Sequence, residues 1–136
     1  MSEEALAQDI DSQAHADFLS GRTNHLSDLV CAYGAIVSSF AAAILAAAHN
    51  SPALAVAGVA ALPGLFAALQ RVIDFRGRAE WYFVKAAELR GIALSLRHEG
   101  LKEAEASRKF REMEVSMEKQ WTQIGRGQRA RDNPAV

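Results

Sequence analysis

Charged side chains are missing from one long stretch of this 136-residue chain, because residues 29–70 contain no Lys, Arg, Asp or Glu. Cysteine is also scarce. Cys31 is the only one, which excludes a disulfide framework or a cysteine zinc site within one chain. The start of the chain is acidic and polar rather than basic and then apolar, so we expect no signal peptide.

Catalytic and metal-binding motifs are absent as well. The sequence has no phosphate-binding loop, no glycine-rich nucleotide fingerprint, no zincin histidine pair and no nucleophile elbow. His15 and His25 lie near acids, but nothing else marks a metal site. We therefore expect a protein that is not an enzyme, that has no cofactor or metal and that does not bind nucleic acid directly.

The charges that are present fall into blocks on either side of the uncharged stretch. Residues 1–28 hold six acids and one base, Arg22, whereas residues 71–136 hold fourteen bases and ten acids. This layout is typical of a membrane protein with soluble flanks. We expect residues 1–28 to form an acidic, partly helical segment.

The uncharged stretch predicts two membrane-spanning helices, residues 29–48 and 53–72, joined by a turn at 49–52. Twenty helical residues extend about 30 Å, which matches the hydrocarbon thickness of a bilayer. Pro52 suits the first turn of the second helix, where its missing N–H is not needed. The alternative is a soluble Ala-rich bundle, but a surface helix of that kind would show a polar face. The predicted fold class is an all-α membrane protein with a two-span transmembrane hairpin (29–73) followed by a cytoplasmic antiparallel helical hairpin (74–124).

The bases predict the orientation of the spans. The turn has no Lys or Arg, whereas Arg71, Arg76, Arg78 and Lys85 closely follow the second span. The positive-inside rule places both termini in the cytoplasm. Membrane lipid is the first expected partner, since such bases attract anionic headgroups.

Each predicted span has one face of small residues. Small residues at helical spacing let helix backbones approach closely in lipid. One interpretation is that the two small faces pack on each other. The other is that the stripe on the first span also lines a pathway between protomers, which requires a homo-oligomer. We expect Pro63 to kink the second span. The faces comprise Cys31, Ala35, Ser38, Ala42 and His49 on the first span, and Ala53, Ala57, Ala60, Gly64 and Ala67 on the second.

The residues after the second span predict two amphipathic helices that fold back on each other. A short heptad seam runs through the first, and Gly100 is placed to end it. Phe110, Met113, Met117 and Trp121 share one face of the second. That face either packs in a core, which we favour, or docks on a partner or in the membrane plane. We expect residues 125–136 to be disordered. The residues expected to pack are Trp81, Tyr82, Leu89, Phe110, Met113, Met117 and Trp121.

Taken together, residues 22–124 resemble the SLATT domain (SMODS and SLOG-associating two-transmembrane effector). The likeness rests on the paired spans, on Trp81 shortly after them, on the "KAAELR" helix at 85–90 and on the glycine turn. Members of that family are regarded as pore-forming effectors of prokaryotic anti-phage systems that act by abortive infection. The resemblance implies an oligomer that permeabilises the cell's own inner membrane.

No sensor domain accompanies these helices, so the resemblance also implies a trigger that is either a separate partner, from a nucleotide-signal or reverse-transcriptase system, or a ligand of the cytoplasmic helices. A function of a different class fits the same layout. The spans would then be a passive membrane anchor, and the cytoplasmic helices would be an adaptor that recruits a soluble partner.

Overall fold

A computed structural model describes residues 3–48 and 51–132 of the chain. Its order of elements is α1 (Glu3–Ala47), α2 (Ala53–Ile73), α3 (Phe75–His98) and α4 (Glu103–Asp132). No strand occurs in the described ranges. The predicted all-α fold class is therefore confirmed.

The helices form two compact units. Unit 1 comprises Met1–Gly21 and Ala79–Val136, and unit 2 comprises Arg22–Arg78. The first and third helices each contribute to both units. The described part of unit 1 has a conventional buried core, whereas unit 2 is a pair of apolar helices.

The first helix differs from the expected division of the chain at residue 28. The change from acidic to uncharged sequence there marks no break, because α1 runs without interruption from Glu3 to Ala47. Gly21 and Gly34 both lie inside this helix. At each of them a neighbouring aromatic side chain packs where the Cβ of a larger residue would be. A change of charge alters what a helix faces, but it does not remove backbone hydrogen bonds.

Asp74 alone separates α2 from α3. Its backbone is left-handed (φ 47°, ψ 55°), and its N–H donates to Gln70 O at 3.1 Å to close α2. Its side chain then opens α3, because Asp74 Oδ1 accepts the Gly77 N–H at 3.1 Å. Aspartate is one of the few residues that tolerate the left-handed region and also cap a helix N-terminus.

The turn between α3 and α4 lies where the sequence predicts it. Gly100 has a positive φ of 68°, which glycine adopts without steric cost. Ser95 O accepts the N–H groups of Glu99 and Leu101, which satisfies the end of α3. The far end of α4 lies at Asp132, so the helix includes residues 125–132 of the expected tail. Residues 133–136 of the expected tail lie outside the described residues.

The core of unit 1 is a three-helix core, in which α1 packs together with the expected pair of α3 and α4. Each of α1, α3 and α4 contributes three residues to one buried cluster. The acidic segment is thus a structural helix, because its small apolar residues recur every three or four positions on the face that α3 and α4 cover. The cluster consists of Ala7, Ile10 and Ala14 from α1, Leu89, Ala93 and Leu96 from α3, and Ala106, Met113 and Met117 from α4.

The acids of α1 in unit 1 pair with bases of α3. Lys85 Nζ lies 3.1 Å from Asp17 Oδ2, and Arg97 Nη1 lies 3.4 Å from Asp11 Oδ2. Because residue 11 meets residue 97 and residue 17 meets residue 85, the two helices run antiparallel here. The acidic block at the start of the sequence therefore complements α3 within the fold.

Candidate functional site

The surface of unit 2 is apolar on almost every side. Large hydrophobic residues of both helices are exposed, among them Phe40 at 68% and Leu54 at 86%. No residue of α2, all of which is described, is buried. Soluble proteins seldom leave such continuous apolar surface in water.

Among the described residues, two helices are long and apolar enough to cross a membrane, by length and composition. The first lies within Glu4–Ala47 and the second is Ala53–Ile73. Only 11% and 0% of their most apolar windows are buried. This low burial distinguishes them from the central helix of a soluble core, which its neighbours cover.

Two contacts define how α1 and α2 meet inside unit 2. The Phe66 ring packs against Gly34, where its nearest atoms lie 2.9 Å from the position a Cβ would take. Gln70 Nε2 donates to Asp28 O at 3.1 Å and to Asp28 Oδ1 at 3.0 Å. Residue 28 thus meets residue 70 and residue 34 meets residue 66, so the two segments run in opposite directions.

The small stripe on α1 lies along this contact. Cys31 and Ser38 are both 7% exposed, and Ala35 and Ala42 are half-buried. Within a single chain the stripe therefore lies on the side of α1 that packs against α2. His49 lies outside the described residues.

The small face of α2 does not lie along this contact, which corrects the expectation that the two small faces pack on each other. Ala53, Ala57, Ala60, Gly64 and Ala67 are all exposed, and nothing lies within 4 Å of a Cβ built on Gly64. Larger residues of α2 fill the groove of α1 instead.

Those larger residues form a heptad seam on α2. The partly covered positions alternate in steps of three and four, as in a coiled-coil contact. Phe66 belongs to this seam. The small face begins about a third of a helical turn away. The seam consists of Val56, Val59, Pro63, Phe66, Gln70 and Ile73.

Hydroxyl groups in the apolar part of α1 are satisfied by their own helix. Ser38 Oγ donates to Gly34 O at 2.7 Å and to Ala35 O at 3.1 Å, and Ser39 Oγ donates to Ala35 O at 2.8 Å. A hydroxyl that bonds to the preceding turn needs no water. These serines therefore add little polarity to the surface of unit 2.

The residues expected to pack in the last two helices come together in unit 1. Trp81 Nε1 donates to Met117 O at 2.9 Å, and the Trp81 ring centroid lies 5.0 Å from that of Tyr82 and 4.8 Å from that of Trp121. Leu89, Met113 and Met117 are buried, and Phe110 packs on the edge of the same cluster.

The sequence pattern does not predict the structural roles of three residues, Asp28, Phe66 and Asp74. A signal exists for the first, because Gln70 is the one amide side chain in the second span and an amide in lipid needs a partner. Phe66 offers no such signal, since its role depends on the gap at Gly34. No group of three or more metal-ligating side chains occurs in the described part of the chain.

Comparison with known proteins adds no assignment to this geometry. No family model matches the chain, and neither a curated protein nor a solved structure resembles it at a significant level.

Proposed function

We propose that unit 2 is a two-span hairpin in the inner membrane and that the protein is an oligomeric, membrane-perturbing effector. The observation that carries the proposal is the exposed apolar surface of α1 and α2 together with their low burial. A bilayer removes this surface from water, and helices satisfy their backbone groups internally, as lipid requires. The membrane is thus the environment in which this unit has no unpaired apolar face.

The small face of α2 is the proposed contact between protomers. The heptad seam already serves the contact with α1, so Ala57, Ala60 and Gly64 remain available for a second copy. Small side chains at this spacing permit close backbone approach and association in lipid. Since two helices cannot enclose an aqueous route, several copies must associate for anything to pass.

The anti-phage role rests on the resemblance of residues 22–124 to the SLATT domain. In that role a separate sensor, from a nucleotide-signal or reverse-transcriptase system, activates the effector during infection. Membrane permeabilisation then stops the infected cell before phage production is complete. This function requires assembly in the membrane and no catalytic step.

Both termini lie in the cytoplasm in this proposal. In a Cys31→Ala background, a cysteine at Asn50 then reacts with an impermeant maleimide applied to intact cells. A cysteine at Ser107 reacts only after the membrane is opened. Labelling of Ser107→Cys but not Asn50→Cys in intact cells reverses the orientation.

Induced expression in a bacterium tests the function. We expect the protein to be recovered in the inner-membrane fraction and a membrane-impermeant DNA dye to enter cells within minutes of induction. Normal growth with no dye entry, combined with a soluble protein that co-purifies in detergent, instead supports the anchor and adaptor function. Recovery in the soluble fraction contradicts both.

A further inference from the structure

A cavity of about 370 Å³ opens on the surface of unit 1 between α3 and α4. Small-molecule sites typically span about 300–1,000 Å³, so this cavity suits a small ligand. It is independent of the apolar surface of unit 2. Its walls are aromatic and acidic: Trp81, Tyr82 and Trp121, with Glu114 and Glu118.

The aromatic wall is a rigid cluster of three rings. The Tyr82 and Trp121 centroids lie 6.3 Å apart, and each ring is inclined to the others by 58° to 82°. The bond from Trp81 Nε1 to Met117 O fixes the central ring. Because the rings contact one another, no slot remains between them for a flat base to intercalate.

The charge around the cavity favours a cation. Glu114 and Glu118 lie one turn apart on α4, and neither forms an ion pair within the described residues. Lys85 also borders the cavity, but Asp17 neutralises it at 3.1 Å. The two glutamates therefore leave the opening net negative.

The cluster already accepts an ammonium group from the protein itself. Lys85 Nζ lies 5.4 Å from the centroid of the Trp81 ring, within the distance at which the ring quadrupole attracts a cation. Tryptophan is the side chain that attracts cations most strongly through its ring face. Tyr82 and Trp121 complete the aromatic part of the cavity lining.

We propose that this cavity binds a small quaternary ammonium cation. Such a cation has no N–H groups, so it gains from ring faces and from the negative field of the two glutamates rather than from directed hydrogen bonds. Its source is either a free solute or a choline lipid headgroup, and the two share this chemistry. Binding at this site does not depend on whether unit 2 forms a pore.

Intrinsic fluorescence of the full chain measures the binding directly, because the only two tryptophans line this cavity. The protein is kept in a maltoside detergent, which carries no ammonium group, and is titrated with choline chloride against sodium chloride of equal ionic strength. We expect a saturable fluorescence change. The neutral isostere 3,3-dimethylbutanol should bind about 2- to 30-fold more weakly, which is the range for cation–π attraction.

Substitutions on α4 localise the effect. Glu114→Gln and Glu118→Gln keep the shape of the rim and should each weaken choline binding several-fold. Glu112→Gln is the matched control, because Glu112 lies on the same helix but pairs with Arg108 at 3.9 Å and does not border the cavity. Circular dichroism of each variant verifies that the helices remain folded.

Vesicles separate the two sources of the cation. A response to free choline supports a soluble ligand, and a response only to phosphatidylcholine vesicles, not to choline-free ones, supports a lipid headgroup. No response to either, an equal response to dimethylbutanol, or equal effects of all three Gln variants would overturn the proposal. Dye entry into cells is unaffected by these results, so failure here and failure of the effector function are distinguishable.

Discussion

Asp74 shows how one side chain can direct the path of the chain. Its left-handed backbone ends α2, and its carboxylate begins α3 by accepting the Gly77 N–H. The sequence places a boundary near this residue but gives no reason to expect both functions, since aspartate is common in loops. Glycine would adopt the left-handed backbone but could not cap α3, and serine would cap α3 but would disfavour the left-handed backbone.

We expect Asp74→Ala to destabilise the protein by about 1–2 kcal/mol, because alanine loses the cap and also disfavours the left-handed region. Asp74→Asn should restore most of this loss, since asparagine tolerates the same backbone and accepts the same hydrogen bond. Thermal unfolding in detergent, followed by circular dichroism, measures the difference. Equal losses for the two variants would show that the cap contributes nothing.

At the scale of helices, the sequence predicts where a helix occurs and where it ends better than it predicts which residues of that helix contact its neighbours. The positions of α2, α3 and the Gly100 turn follow from apolar runs and from glycine and proline signals. The continuity of α1 does not, because the predicted boundary at residue 28 rested on charge alone. The role of Ala7, Ile10 and Ala14 was also missed, since small residues give a weak periodic signal until their neighbours are known.

The seam of unit 2 illustrates why contacts are harder to predict. On α1 the small stripe and the packed face coincide, and on α2 they do not. Which face of α2 is used depends on how well Phe66 fills the space above Gly34, and complementarity of that kind is a property of two surfaces together. A single-helix pattern contains only one of them.

Glycine substitutions test this seam. Gly34→Leu places a large side chain where the Phe66 ring lies, so we expect the two helices to separate and unfolding to become easier by about 1–3 kcal/mol. Gly58→Leu is the matched control, because nothing lies within 4 Å of a Cβ at Gly58. Thermal unfolding of both variants in the same detergent measures the effect, and similar behaviour of the two would place the seam elsewhere.

At the scale of the whole molecule, the chain divides by the environment that each part needs. The described part of unit 1 has a buried three-helix core, and Asp11 and Asp17 of α1 pair there with bases of α3. Unit 2 exposes large apolar residues, and the hydroxyls of Ser38 and Ser39 bond to their own helix. The two units thus differ in what they expose, and unit 2 (Arg22–Arg78) extends beyond both ends of the uncharged stretch at residues 29–70.

Leakage from liposomes tests the central claim most directly, because it requires only the purified chain and a bilayer. The wild-type protein and Gly58→Leu should release an entrapped small dye with a dependence on protein concentration steeper than linear, as assembly requires. Gly64→Leu should insert equally well but release far less dye, because its added bulk obstructs the small face of α2. Equal release by Gly64→Leu would contradict assembly through this face. No release by inserted wild-type protein at any protein-to-lipid ratio would contradict the membrane-perturbing function itself.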